Sequence, residues 1–184
     1  MKLLVLNADS KKKVNTIRKR LMKSITNRIG SSNEGTVKPE AIHVEEIKKI
    51  LVCRPNSRLG NQLLITPLLQ ELLDTFPNAH IDLFVRGGVA PVVLKNYDRI
   101  DKYIMLPPKP FKSLFSYLKV WFKIRSANYD LVINAVNDSS SGKIATKIAK
   151  APVKFYSDTD EHLKTIHDDY SHIAKTTIYN FREF

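Results

Sequence analysis

A chain of 184 residues, 43% apolar and 26% charged, has room for one ordinary domain plus an extension, and enough apolar content for a buried core. No run approaches the roughly 18 uninterrupted apolar residues of a membrane span, and Met1-Lys2-Leu3-Leu4-Val5-Leu6 is too short for a secretory signal. The formal net charge of +12 points to a polyanionic partner: nucleic acid, an anionic membrane face or a phosphorylated substrate.

Residues 1–40 read as a basic amphipathic extension and linker. Val14, Ile17, Leu21, Ile25 and Ile29 recur at helical spacings of three and four. Around them stand Lys11, Lys12, Lys13, Arg18, Lys19, Arg20, Lys23 and Arg28, with no acidic residue between Lys11 and Arg28. Such a helix can lie in the headgroup plane of an anionic membrane, each nearby cation contributing about 1 kcal/mol. A solvated helix or a tail is the plainer alternative, and the pattern favours a membrane surface over nucleic acid. Gly30-Ser31-Ser32-Asn33-Glu34-Gly35 has linker composition.

From Ile47 a regular alternation begins. Ile47 to Arg54 is strand-like, its centre Ile50-Leu51-Val52-Cys53 apolar on both faces as in a buried parallel strand. Cys53 has no second cysteine to pair with, which fits a reducing cytoplasm, and it reads as a small core side chain. A loop over 55–61 leads to an apolar helical stretch through Leu63, Leu64, Leu68, Leu69, Leu72 and Leu73, closed by Phe76-Pro77-Asn78. His80 to Val85 is a second strand, Val89 to Lys95 a short helix and Lys102 to Leu106 a third strand. Phe111, Leu114, Phe115, Leu118, Trp121, Phe122 and Arg125 mark an amphipathic helix whose aromatic stripe is read as core. Tyr129 to Asn134 is a fourth strand, Ser140 to Ala149 a helix and Pro152 to Tyr156 a fifth strand. Strands separated by helices predict a Rossmann-like α/β domain over 41–160, a parallel sheet covered on both faces.

In open parallel sheets ligands bind beyond the C-terminal strand ends, so the loops at 54–61, 86–88 and 134–141 carry the functional expectation. Gly60 can take a positive φ and bring backbone amides close to a ligand. Thr66-Pro67 leaves two readings: Thr66 caps a helix that starts at Pro67, or the helix starts near Asn61 and Pro67 kinks it. Neither G-x-x-x-x-G-K-[ST] nor G-x-G-x-x-G follows the first strand, which disfavours a P-loop hydrolase or a dinucleotide dehydrogenase. The five histidines show no metal spacing and no G-x-S-x-G elbow is present.

The run Ile50-Leu51-Val52-Cys53-Arg54, then Ser57-Arg58-Leu59-Gly60-Asn61-Gln62-Leu63-Leu64-Ile65-Thr66-Pro67-Leu68-Leu69, resembles the opening strand, loop and helix of family 9 glycosyltransferases, which include the ADP-heptose:lipopolysaccharide heptosyltransferases. In that family the stretch reads R-x-G-D, several apolar residues, then T-x-P or T-P-L. Phe76-Pro77-Asn78-Ala79-His80-Ile81-Asp82-Leu83-Phe84-Val85, the strand from Tyr129 and Ala151-Pro152-Val153-Lys154 are similar too. The resemblance covers about residues 47 to 184. It implies the N-terminal, acceptor-side domain of a GT-B type enzyme with a second, nucleotide-sugar-binding domain or partner chain beyond it, and 161–184 as the connector helix towards that domain, with Ile173, Thr177, Ile178 and Phe181 at helical spacing. It implies inverting transfer from a nucleotide-sugar co-substrate, with no metal or other cofactor, to a phosphorylated glycolipid or saccharide acceptor. The setting would be the inner face of the cytoplasmic membrane.

The family's base, a carboxylate, aligns with Asn61, and an amide cannot take a proton at neutral pH. Asn61 can orient an acceptor hydroxyl by hydrogen bonding, or serve only as a helix cap or turn former. Asp138 is the alternative base by position. Arg58, Gly60, Gln62, Thr66, Arg86, Asn134 and Asn137 are the acceptor-binding candidates, the arginines suiting bidentate phosphate recognition. Lys143 reads as a surface charge and Ser139 as a helix cap. The departure at Asn61 keeps a second reading open, a non-catalytic module holding a glycan or anionic lipid.

Overall fold

The computed structural model describes residues 43–107 and 114–184, and the basic extension of 1–40 lies outside them. A short 3-10 turn, Val44–Glu46, precedes β1, Lys49–Arg54. Every residue of β1 from Ile50 onward is buried, which only a central strand allows, and it pairs in parallel with β2 (His80–Arg86) on one side and β4 (Leu131–Asn134) on the other. With β3 (Ile100–Leu106) and β5 (Val153–Tyr156) the sheet has five parallel strands in the order β3-β2-β1-β4-β5. The direction of winding reverses between β1 and β4, the place where an open sheet offers a crevice.

Side chains alternate across the sheet as strand geometry requires. Ile50, Val52, Leu83, Val85 and Ile133 face one way, packed with Leu68, Leu69 and Leu72 of α2 (Thr66–Thr75) and Ala90 of α3 (Val89–Val93). Leu51, Cys53, Phe84 and Val132 face the other way, against Ile124 of α4 (Leu114–Ser126) and Ala145 of α5 (Ser140–Ile148). Both faces are covered, so the domain is the Rossmann-like α/β sheet that the alternation predicts.

Three details differ from the pattern. The stretch expected as one helix through Leu63 to Leu73 is two: α1, Leu59–Leu63, and α2. Pro67 sits in the first turn of α2, where its missing N–H breaks no helical bond, and the Thr66 hydroxyl donates to the Leu63 carbonyl at 2.8 Å. Both readings of Thr66-Pro67 are corrected: Thr66 is the first residue of α2 with Ile65 at the N-cap, and α1 ends at Leu63 instead of running on through a kink at Pro67. Second, β3 starts at Ile100 because Ile81 pairs with Ile100 while Asp82 pairs with Lys102, which bulges Asp101 out of the ladder. Third, the connector expected as one helix over 161–184 is broken in two, and its first piece, α6 (Glu161–Ile166), is capped by Asp160, whose carboxylate accepts from the His162 and Leu163 amides at 2.8 and 3.1 Å.

Residues 161–184 fold back on the sheet. Phe181 of α7 (Ile173–Arg182) sets its ring 6.4 Å from Phe76 and 5.9 Å from Phe155, and Phe184 lies 5.0 Å from Phe155. The Tyr170 hydroxyl accepts from the Asp160 amide at 2.7 Å and donates to Asn180 Oδ1 at 2.6 Å. Asn180 Nδ2 in turn donates to the Asp158 carbonyl at 2.6 Å, so buried polar bonds hold this segment to the end of β5.

Candidate functional site at the C-terminal strand ends

The loops after β1, β2, β4 and β5 are bonded or packed to one another along one edge of the sheet. Arg54, the last residue of β1, is buried, and its guanidinium donates from Nε to the Asn61 carbonyl at 3.1 Å and from Nη1 to the Ala135 carbonyl at 2.9 Å. One side chain thereby ties α1 to the loop after β4 across the winding reversal. Burial lowers its pKa from the ordinary arginine value. Among the described residues it forms no ion pair with a carboxylate.

Gln62, fully buried on α1, donates from Nε2 to the Asn56 carbonyl and so holds the β1 loop against its own helix. Its Oε1 is buried with no hydrogen-bond donor among the described residues. Asn134, the last residue of β4, is equally buried: its Nδ2 donates to the Val136 carbonyl at 3.0 Å, while its Oδ1 likewise has no donor. A Cβ on Gly142 would collide with that Oδ1, which is why α5 carries glycine where it crosses the end of β4. Ser157 donates its amide to the Asn134 carbonyl at 3.2 Å, and Asn137 Nδ2 donates to Thr159 Oγ1 at 3.1 Å, joining the β4 and β5 loops.

The glycine that takes the left-handed conformation is Gly87, at φ 74°, and not Gly60. Gly60 lies within α1 at an exposed position, so the expected positive φ there is corrected: the helix begins one residue earlier, at Leu59, and imposes right-handed dihedrals on it. At Gly87 an added Cβ would stand 3.4 Å from Ser57 Cβ, so the β1 and β2 loops touch at that point.

Asn61 sits inside α1, half-buried. It is not a cap, since the N-cap position belongs to Arg58. Its backbone carbonyl holds Arg54, and among the described residues its carboxamide makes no hydrogen bond. Arg58 is exposed beside it, its amide bonded to Asn56 Oδ1 at 3.0 Å. Arg86 ends β2, half-buried and paired in register with Leu106. Asp138 is exposed on the β4 loop, next to Asn137. Thr66 stands apart, a turn beyond α1, with its hydroxyl bonded to local backbone. Lys143, expected as a surface charge, pairs with Asp158 at 3.3 Å, and Ser139 caps α5 as expected, its Oγ accepting from the Gly142 amide at 3.1 Å.

Arg54 is the residue that the sequence analysis left out of its site candidates. Its signal was a cation closing a wholly apolar strand, a placement tolerated only when backbone acceptors wait there. Among the described residues no group of three His, Cys, Asp or Glu side chains is placed to hold a metal ion.

No protein-family model matches this sequence, and no curated protein matches it. Solved structures do. The glycosyl transferase family 9 structure from Veillonella parvula is similar over 78% of this chain, at 24% identity and a TM-score of 0.58. The E. coli heptosyltransferase WaaC with ADP is similar over 73%, at 19% identity and a TM-score of 0.55. WaaC with ADP-2-deoxy-2-fluoro heptose is similar over 73%, at 20% identity and a TM-score of 0.56. The matched regions make up 43%, 46% and 47% of those chains, so this chain spans less than half of their length. In its fold the chain is similar to part of a family 9 glycosyl transferase and of a heptosyltransferase.

Proposed function

We propose that this chain is the acceptor-side half of a metal-independent, inverting glycosyltransferase of the GT-B type, working with a nucleotide-sugar at the cytoplasmic face of a bacterial membrane. The acceptor is a phosphorylated glycolipid or saccharide of the cell envelope, such as lipopolysaccharide. The observation that carries the reading is the strand-end crest, where Arg54 holds α1 and the β4 loop together so that Arg58 and Asn61 at the start of α1 and Asn137 and Asp138 in the β4 loop lie along one sheet edge. The fold likeness supports it, as does the nucleotide and nucleotide-sugar bound to WaaC in its structures.

In the transfer, the acceptor oxygen attacks the anomeric carbon, the bond from that carbon to the phosphate oxygen breaks, the nucleoside diphosphate leaves, and the hydroxyl proton passes to a base. Asn61 would orient that hydroxyl through its free carboxamide, and Asp138 would take the proton. Arg58 and Arg86 would meet acceptor phosphates. The amide at position 61 favours a second reading, a module that holds the glycan or anionic lipid without transferring sugar.

The test is calorimetry with a phosphorylated acceptor saccharide, alongside a transfer assay with nucleotide-sugars. Binding is expected, weakened about tenfold by Arg58→Ala, with little transfer by the 184-residue chain alone. Brisk transfer by this chain alone would overturn the half-enzyme reading, and absent acceptor binding would overturn both readings. When the chain is joined to a donor domain, a rise in transfer with Asn61→Asp means that position lacked its base. No rise would favour Asp138 or the binding module.

A further inference from the structure

Helix α4 has two apolar faces, and only one of them meets the protein. Tyr117, Val120, Trp121 and Ile124 form the inner face: Ile124 is fully buried and Trp121 lies 5.6 Å from Phe84 of β2 and 5.7 Å from Tyr117. The outer face carries Phe115, Leu118 and Phe122, at spacings of three and four, exposed by 91%, 55% and 74%. This corrects the reading of the whole aromatic stripe as core: Trp121 is packed, whereas Phe115 and Phe122 stand in solvent. Two phenylalanines and a leucine in line on one exposed face need a partner.

The cations around this strip identify the partner. At 3.6 residues per turn Lys119 and Lys123 border it on one side and Arg125 on the other, and α4 contains no acidic residue. Near its C-terminal end, burial and then the charges of Lys147 and Arg125 hold the Lys154 ammonium below the usual lysine range, so positive charge is concentrated there. A second copy of this face would bring the same cations against each other. An anionic bilayer fits both halves of the pattern: phenylalanine and leucine enter the acyl boundary while lysine and arginine stay at headgroup level.

We propose that the outer face of α4, centred on Phe115, Leu118 and Phe122 and bordered by Lys119, Lys123 and Arg125, docks this domain flat on an anionic lipid bilayer. Among the described residues no helix is long and apolar enough to cross a membrane, so the contact is interfacial. This surface lies on α4, within the described residues. It stands independently of the glycosyltransferase reading.

The full chain is tested on sucrose-loaded vesicles of phosphatidylcholine alone and with about one third phosphatidylglycerol. Sedimentation should show binding to the mixed vesicles only, weakened about tenfold or more by the double variant Phe115→Ser, Phe122→Ser. Both positions are exposed, and circular dichroism checks that the variant folds. Trp121, the only tryptophan, gives a second readout on the unaltered chain: vesicles brominated in the acyl chains should quench its emission. Quenching should persist in the variant Lys11→Gln, Lys12→Gln, Lys13→Gln. Equal binding by the serine variant would overturn the proposal, as would unquenched Trp121 in bound protein or no binding by the unaltered chain. A dimer that the serine substitutions dissociate without lipid would assign the face to a second copy and overturn it too.

Discussion

At the scale of single residues, the crest depends on polar side chains placed where the core ends. Arg54 is the firmest of them because it answers two carbonyls that the chain's own backbone would otherwise leave short of donors. Arg54→Met keeps the length and removes the donors, and should lower stability by about 2 kcal/mol in urea unfolding. Unchanged stability would mean that the guanidinium does not clamp the loops. Cys53 makes a different point. Burial pushes its thiol up to about 12, with the Thr146 hydroxyl pulling weakly the other way. A thiol raised in the folded state contributes stability that is complete below its ordinary value of 9.0 and is lost as pH rises towards about 12. Stability should therefore fall across that window, and fall less steeply in Cys53→Ala. At pH values near 8, iodoacetamide should alkylate the folded chain about a hundredfold more slowly than the unfolded one.

At the scale of elements, the break between α1 and α2 sets the site. A continuous helix from Leu59 would carry Asn61 and Gln62 on the axis of α2. Pro67, lacking an N–H, and the Thr66 hydroxyl allow a new helix to start instead, leaving α1 as a short piece held down by Arg54 and Gln62. The closing helix α7 is held mainly by aromatic packing. Its ion pair, Arg182 to Glu71 at 2.8 and 2.9 Å, keeps the Glu71 carboxyl below its usual range, but both groups lie near solvent and screening leaves the pair little weight. Phe181, wedged between Phe76 and Phe155, is what anchors the helix. Phe181→Ala should cost about 3 kcal/mol in thermal or urea unfolding, whereas Arg182→Ala should be nearly silent at moderate salt.

At the scale of the whole molecule, the charge of +12 is not spread at random. Part lies on the extension of 1–40 and part beside the exposed strip of α4. The two make separable predictions for membrane attachment. Raising salt from about 0.1 to 1 M shortens the screening length from about 10 to 3 Å. Purely electrostatic attachment through the extension would disappear, while insertion of Phe115 and Phe122 would survive in part because apolar burial is not screened. Residual sedimentation with vesicles at high salt, lost in the serine double variant, is the expected result.

The parallel α/β sheet was legible from the amino acids because a buried strand and a half-buried helix leave periodic apolar signatures. Ile50-Leu51-Val52-Cys53 and the leucines of α2 needed no coordinates to be assigned. The loops beyond the strands were legible as a place, since parallel topology itself puts ligands there. What side-chain identity could not convey was contact between segments far apart in the chain. That Arg54 bonds a carbonyl 81 residues away, that Gly87 rather than Gly60 takes the left-handed turn, and that Asp160 opens a helix depend on which backbone groups the fold leaves unpaired. The stripe of α4 shows the same limit: Trp121 and Phe122 are neighbours of like hydrophobicity, and only the position of the sheet determines which one packs inward and which one faces outward.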